Sequence, residues 1–242
     1  MKFFTNHRNE FLQICESNRL TIDFDTNREG FHVFISIFKK REYADFFPFY
    51  EKAVILDVGA HFGYFSLFAE RNCGPGSRIV AIEPDQKNFG LLTKNLFDSK
   101  SKMIETINCA MAHEEGAQKL FKGRSINSSL IENYALNPLN AEYELTKVMS
   151  LQGILASKQL DHVDFMKLDC EGAEYDILLR ASDETLSKIK TISMEFHDML
   201  NPDFTANKLY KRLSNAGYKI VKFVYDETNL GLNYGKIIAT RL

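Results

Sequence analysis

Tryptophan is absent from the 242 residues and cysteine is scarce, at four. Cys15, Cys73, Cys109 and Cys170 have no metal-ligand spacing and read as reduced intracellular thiols rather than a zinc site or a disulfide framework. No apolar run approaches the roughly 20 residues a membrane helix needs, so no membrane insertion is expected. The opening residues, Met1 to Glu10, lack the apolar core of a signal peptide, and cytoplasmic residence is the expectation. A net charge of −2 provides no basic footprint for nucleic acid. Repeats and low-complexity tracts are missing too. What the chain has is apolar material, 45 % of its residues, enough for one sizeable core.

The most informative segment is Val54-Ile-Leu-Asp-Val-Gly-Ala-His-Phe-Gly-Tyr-Phe65. An apolar run meets Asp57, two glycines flank a turn, and an amphipathic stretch follows, which predicts a buried strand, a tight turn and a helix. Glycine is needed where backbone takes unusual angles or lies close to a ligand. A second apolar run, Arg78-Ile-Val-Ala-Ile-Glu83, ends in an acid twenty residues after Gly63. A carboxylate there suits the hydroxyls of a ribose. The glycine pattern, Asp57-x-Gly59-x-His61-x-Gly63, lacks the close pair that grips a pyrophosphate. Asp57 would repel phosphate and welcome a cationic amino-acid-like ligand. S-adenosylmethionine (SAM) is therefore favoured over a dinucleotide.

From residue 53 onward strand-like and helix-like segments alternate, predicting a parallel sheet with helices on both faces. The strands are expected at 53–58, 78–83, 104–111, 163–169, 190–196, 218–225 and 236–241. Helices are expected at 63–71, 85–97, 172–181 and 204–215, with an irregular region after 111. The last two strands are too close for a crossover helix and suit an antiparallel hairpin. Ligands in such sheets lie beyond the carboxyl ends of the strands, where Asp57, Glu83, Ala110, Asp169 and Glu195 fall. Residues 1–50 form an amino-terminal extension that packs on or caps the domain of residues 51–242. Its Tyr43, Phe46, Phe47, Phe49 and Tyr50 are expected to cover a sheet edge, the alternatives being a lid or a homodimer contact.

These residues resemble the FkbM family of SAM-dependent methyltransferases. The matching pieces are Asp57-Val-Gly-Ala-His-Phe-Gly63, Glu83-Pro-Asp-Gln-Lys-Asn-Phe89, Asn108-Cys-Ala110, Asn127-Ser-Ser-Leu130 and Lys167-Leu-Asp-Cys-Glu-Gly-Ala-Glu174. The resemblance implies a class I methyltransferase fold. That is an α/β, Rossmann-like, mostly parallel seven-stranded sheet with helices on both faces and an antiparallel C-terminal strand. It also implies O-methylation of a sugar or polyketide hydroxyl, the acceptor being a small molecule or glycan precursor. His61 departs from the family's usual Asn and is expected to change a polar contact near the methionine tail.

Asp57, Gly59 and His61 are then expected at the amino-acid end of SAM, with Gly63, Tyr64 and Phe65 close by and Asp169 as a further cofactor contact. Glu83 would hold the ribose, helped by Asn88, and Asn108 and Ala110 would lie near the adenine. Asp169 and Glu171 are the leading candidates for catalysis or acceptor binding, since methyl transfer needs an aligned hydroxyl and a proton acceptor. Glu174 could share their face, or instead stabilise the helix amino end. Glu195 and His197, further catalytic candidates, point to one side of an extended chain, and His197 is a candidate base because imidazole titrates near neutrality. Asp169, Glu171, Glu195, His197 and Asp198 are also an oxygen-rich set of the kind that binds magnesium or calcium, but the resemblance carries no metal and none is expected. In the insert of residues 112–162, Arg124 could grip an anionic acceptor, and Tyr134 and Tyr143 could shape its pocket. An edge hairpin is the plainer reading there. Competing functions are methylation of a phosphate-type oxygen or an amine, and a non-catalytic SAM-binding partner module.

Overall fold

A run of five residues that are all buried, Val54–Val58, forms β1 at the middle of the main sheet. The molecule is described by a computed structural model covering residues 2–123, 128–131, 142–198, 203–226 and 233–241. Before β1 come helices α1 (Lys2–Ser17) and α2 (Phe31–Phe38). After it follow α3 (Tyr64–Asn72), β2 (Arg78–Ile82), α4 (Gln86–Asp98), β3 (Ile104–Ile107), β4 (Ala110–Met111), β5 (Gly116–Lys122) and β6 (Ser128–Ser129). The second half contains β7 (Tyr143–Met149), α5 (Leu151–Ser157), β8 (Val163–Leu168), α6 (Glu174–Arg180), α7 (Asp183–Ser187), β9 (Ile189–Asp198), α8 (Ala206–Asn215), β10 (Lys219–Asp226) and β11 (Asn233–Thr240).

The main sheet has seven strands in the order β10-β11-β9-β8-β1-β2-β3. Six run in the same direction, five of them side by side, and β11 lies antiparallel between β9 and β10. Parallel strands covered on both faces are apolar at successive positions rather than at alternate ones. Alternate residues of β1 and β2 therefore enter two cores. Leu56, Val58, Val80 and Ile82 pack with α5, α6 and α8 on one face. Ile55, Ile79 and Ala81 pack on the other, against α1 to α4. This second core holds nine of the 20 phenylalanines, with the Phe11 and Phe34 rings 4.2 Å apart and fully buried. The first 50 residues thus supply two helices that complete one face of the sheet. Tyr43 and Phe47 are buried there, while Phe46, Phe49 and Tyr50 remain exposed.

The expected strand 104–111 is instead two strands in two sheets. Asn108 Nδ2 donates to the carbonyls of Glu83 (2.9 Å) and Pro84 (3.1 Å), which holds the chain in a turn after β3. β4 then joins a second sheet, β4-β7-β5-β6, built from the region expected to be irregular. Its β5 and β7 pair antiparallel from Gly116↔Val148 to Phe121↔Tyr143, so the hairpin reading of the insert is present and enlarged. Arg124, Tyr134 and the side chain of Asp198 lie outside the described residues. Among the described residues, no helix is long and apolar enough to cross a membrane.

Candidate active site

A cavity of about 300 Å3 opens at the carboxyl ends of β1, β2 and β8. The turn after β1 forms one wall. Gly59 has φ +74°, and a Cβ there would stand 1.8 Å from the Asp169 carbonyl oxygen, so only glycine lets the two turns touch. Gly63, at φ +82°, caps the start of α3 and faces Leu92 of α4; it does not line the cavity, whereas Tyr64 and Phe65 do.

Glu83 enters the cavity from the end of β2. Its carboxylate accepts the backbone N–H groups of His61 (2.8 Å) and Asp85 (3.0 Å), and the Asn88 amide approaches at 3.5 Å. Burial raises its pKa to about 7 against the pull of those amides. Asp85, not Glu83, is the N-cap of α4, accepting from Lys87 N (2.8 Å) and Asn88 N (3.0 Å). Asp85 also pairs with Lys122 Nζ and accepts from Ser128 Oγ at 2.9 Å, tying the second sheet to this end of the cavity. Asn88 and Ala110 line the cavity, but Asn108 is spent on the Glu83–Pro84 carbonyls and does not.

Asp57 lies beneath the cavity rather than in it. It is fully buried, accepts from Ser66 Oγ at 2.6 Å and is 3.4 Å from Lys167 Nζ. Parallel pairing explains the contact, because Asp57 and Lys167 are direct partners on β1 and β8. Lys167 also donates to the Gly59 carbonyl (2.6 Å) and lies 3.7 Å from Asp169. Burial disfavours its charge, but Asp57 and Asp169 outweigh that and hold the ammonium above its ordinary pKa. Asp169, two residues on and therefore on the same strand face, accepts from the Tyr43 hydroxyl at 3.2 Å. Its side chain is 30 % exposed, toward the cavity.

His197 is not a free base. Its Nδ1 is 3.1 Å from Glu174, and its Nε2 is 3.7 Å from Glu171 and 3.5 Å from Glu195. Burial works against the imidazolium, but Glu174 and then Glu195 and Glu171 outweigh it and push the pKa well above the ordinary value. The ring is buried behind Glu171 and Glu195, which line the cavity while it does not. Glu174 is fully buried as well. Its two oxygens accept from Cys170 N (2.7 Å) and Gly172 N (2.9 Å), so it organises the turn that presents Glu171 at φ +52°. Asp169, Glu195 and His197 each bring one donor atom within 4.8 Å of the others.

Sequence reasoning expected residues 1–50 to pack on or cap the domain, with Tyr43 among the covering residues, but did not single out His32, Ser36 or Glu42 for the cavity wall. His32 and Ser36 of α2, with Glu42 and Tyr43 after it, line the cavity. Lys236 of β11 fastens this segment by donating to the Glu42 carbonyl at 2.7 Å and lying 4.2 Å from the Tyr43 ring centre. No local motif marks such residues; only the assembled fold joins them.

A parallel sheet with an acid at the end of its second strand, a glycine turn and a cavity between them defines a Rossmann-like enzyme fold. Residues 57–220 match the family described as Methyltransferase FkbM domain, and the chain belongs to that family. It is 27 % identical over 180 residues to the AMB antimetabolite synthetase AmbE of Pseudomonas aeruginosa, a match covering 60 % of this chain and 8 % of that protein. With the 31-O-demethyl-FK506 methyltransferase FkbM of Streptomyces tacrolimicus it shares 24 % identity over 196 residues, 69 % of this chain and 73 % of that one. Among solved structures, the precorrin-6y C5,15-methyltransferase of Geobacter metallireducens matches with a TM-score of 0.48 and 14 % identity, covering 84 % of this chain and 86 % of that chain.

Proposed function

We propose that this chain is a SAM-dependent O-methyltransferase acting on a hydroxyl of a sugar, nucleotide-sugar or glycan precursor. The observation that carries it is Asp169, whose backbone carbonyl meets the Gly59 turn and which lines the cavity with a partly exposed carboxylate. When bound, SAM supplies a methyl group on a sulfonium, ready for displacement. Glu83 accepts from the ribose hydroxyls, with Asn88 beside it. Asp169 accepts the hydrogen bond of the acceptor hydroxyl, aligns it and takes its proton on a carboxylate oxygen. Glu42, Glu171 and Glu195, which line the same cavity, accept from neighbouring hydroxyls of a polyol. The O-methylation named for the Streptomyces relative supports transfer to oxygen. Incubation with radiolabelled SAM and a panel of sugars, nucleotide-sugars and glycan fractions tests the reading. Label is expected in an alkali-stable methyl ether. Label found only on amines or phosphate esters would overturn it.

Glu83→Ala is expected to weaken binding of S-adenosylhomocysteine by about 1.5–3 kcal/mol in calorimetry, the range for hydrogen bonds to a charged group. Because Glu83 titrates at about 7, the same affinity should decline as pH falls below neutrality and the carboxylate gains a proton. A constant affinity between pH 8 and pH 6 would place the ribose elsewhere. Turnover should also survive EDTA. His197, its pKa raised by Glu174, Glu195 and Glu171, is a cation that already partly offsets their charge. Activity lost on chelation and restored by magnesium would make Asp169, Glu195 and His197 an ion site instead.

A further inference from the structure

The carboxylate of Asp169 is held by one oxygen. Tyr43 donates to its Oδ2 at 3.2 Å, and the nearest approach of Lys167, 3.7 Å, is to the same atom. Among the described residues no hydrogen bond goes to Oδ1. A carboxylate gripped on one side offers a fixed lone pair on the other. Without the grip it turns about its last torsion, which is broad and roughly two-fold.

Tyr43 is itself fixed. Its ring is buried, stands edge-on to Phe65 with centroids 5.4 Å apart, and has the Lys236 ammonium 4.2 Å from its centre. Lys236 also donates to the carbonyl of the preceding Glu42 at 2.7 Å, which pins the backbone at the same place. Burial, then Asp169, Glu195 and Glu42, push the phenol's pKa well above its ordinary value. The hydroxyl therefore keeps its proton and serves Asp169 as a donor. Tyr43 and Lys236 both lie outside residues 57–220, so the pair stands beyond the family-matched span.

We infer that Tyr43 is a positioning residue, whose hydroxyl holds Asp169 Oδ2 so that Oδ1 faces the acceptor hydroxyl. The acceptor's proton then passes to Oδ1, while Oδ2 keeps its bond to the phenol. The inference rests on the methyltransferase reading of the cavity, with Asp169 as proton acceptor. It goes further in assigning the alignment of that carboxylate to a side chain of the amino-terminal extension.

Initial-rate kinetics on the full chain test it, with radiolabelled SAM and whichever sugar, nucleotide-sugar or glycan fraction takes label from the wild type. Tyr43→Phe keeps the ring against Lys236 and Phe65 and deletes only the hydroxyl. It is expected to lower kcat about tenfold, while acceptor KM and the affinity for S-adenosylhomocysteine change less than about threefold. In an Asp169→Asn background the same substitution should lower kcat less than about twofold more, because the carboxylate it positions has gone. An unchanged or raised kcat overturns the inference, since the freed carboxylate is the stronger base and would then need no alignment. A loss confined to acceptor KM also overturns it and makes Tyr43 a wall contact. So does a full tenfold loss on top of Asp169→Asn, which makes the hydroxyl structural. Two deeper failures look different, and either withdraws the inference: a silent Asp169→Asn removes the proton acceptor, and wild-type protein that transfers no label removes the methyltransferase reading.

Discussion

Lys167→Met is expected to destabilise the fold by about 3–5 kcal/mol in denaturant unfolding, the usual cost of removing one partner from a buried ion pair. The side chain is 5 % exposed and Asp57 is fully buried, so water cannot replace the lost ammonium. Two carboxylates, Asp57 and Asp169, would then face each other across the vacated space with only Ser66 and Tyr43 as donors. The Gly59 carbonyl would lose its donor as well. Asp57→Asn combined with Lys167→Met should cost much less than the sum of the single changes, because the charge that needed compensation has gone. A loss below about 1 kcal/mol for Lys167→Met, or strict additivity in the pair, would show that this ion pair is not what holds β1 to β8 at the site.

That ion pair also marks where sequence stops being informative. The strand–turn–helix at residues 54–65, the acid at Glu83 and the alternation of elements were all visible, because each is written in adjacent residues with periods fixed by backbone geometry. The seven-stranded sheet and its antiparallel β11 followed from the same signals. Contacts made across the sheet left no such mark. Asp57 read as a ligand-facing acid because nothing near it in the chain neutralises it; its partner lies 110 positions later, brought opposite by parallel register. His197 read as a base because imidazole titrates near neutrality; Glu195 is two residues away, but Glu174 and Glu171, more than twenty residues away, complete the set of carboxylates around it. Asn108 looked like an adenine contact until β3 ended and its amide bound the chain crossing from β2. Where a polar side chain is satisfied by a distant partner, spacing overstates its availability to a ligand.

Asp169→Asn is expected to lower kcat by about 10²–10⁴-fold, the usual contribution of a general base, while affinity for S-adenosylhomocysteine changes little. The substitution keeps the shape and removes the anion that would accept the proton. Burial alone would raise the Asp169 pKa, but Lys167, then His197 and the Tyr43 hydroxyl, hold it below the ordinary value. A carboxylate with a depressed pKa stays ionised throughout the range in which the fold is assayed. At saturating SAM, kcat should therefore stay level from pH 8 down to about pH 5, with the fall confined to still lower pH. A histidine base would behave in the opposite way. The pKa of His197 is raised by its carboxylates, so a rate that depended on its neutral form would climb with pH through and beyond neutrality. His197→Gln should accordingly cost less than tenfold in kcat. Glu171→Gln should act on acceptor KM, because Glu171 borders the cavity from a turn held in place by Glu174. A rising pH profile together with a silent Asp169→Asn would return the base role to His197. A large kcat loss in Glu171→Gln with Asp169→Asn unaffected would instead move the proton two residues further along the chain, to Glu171.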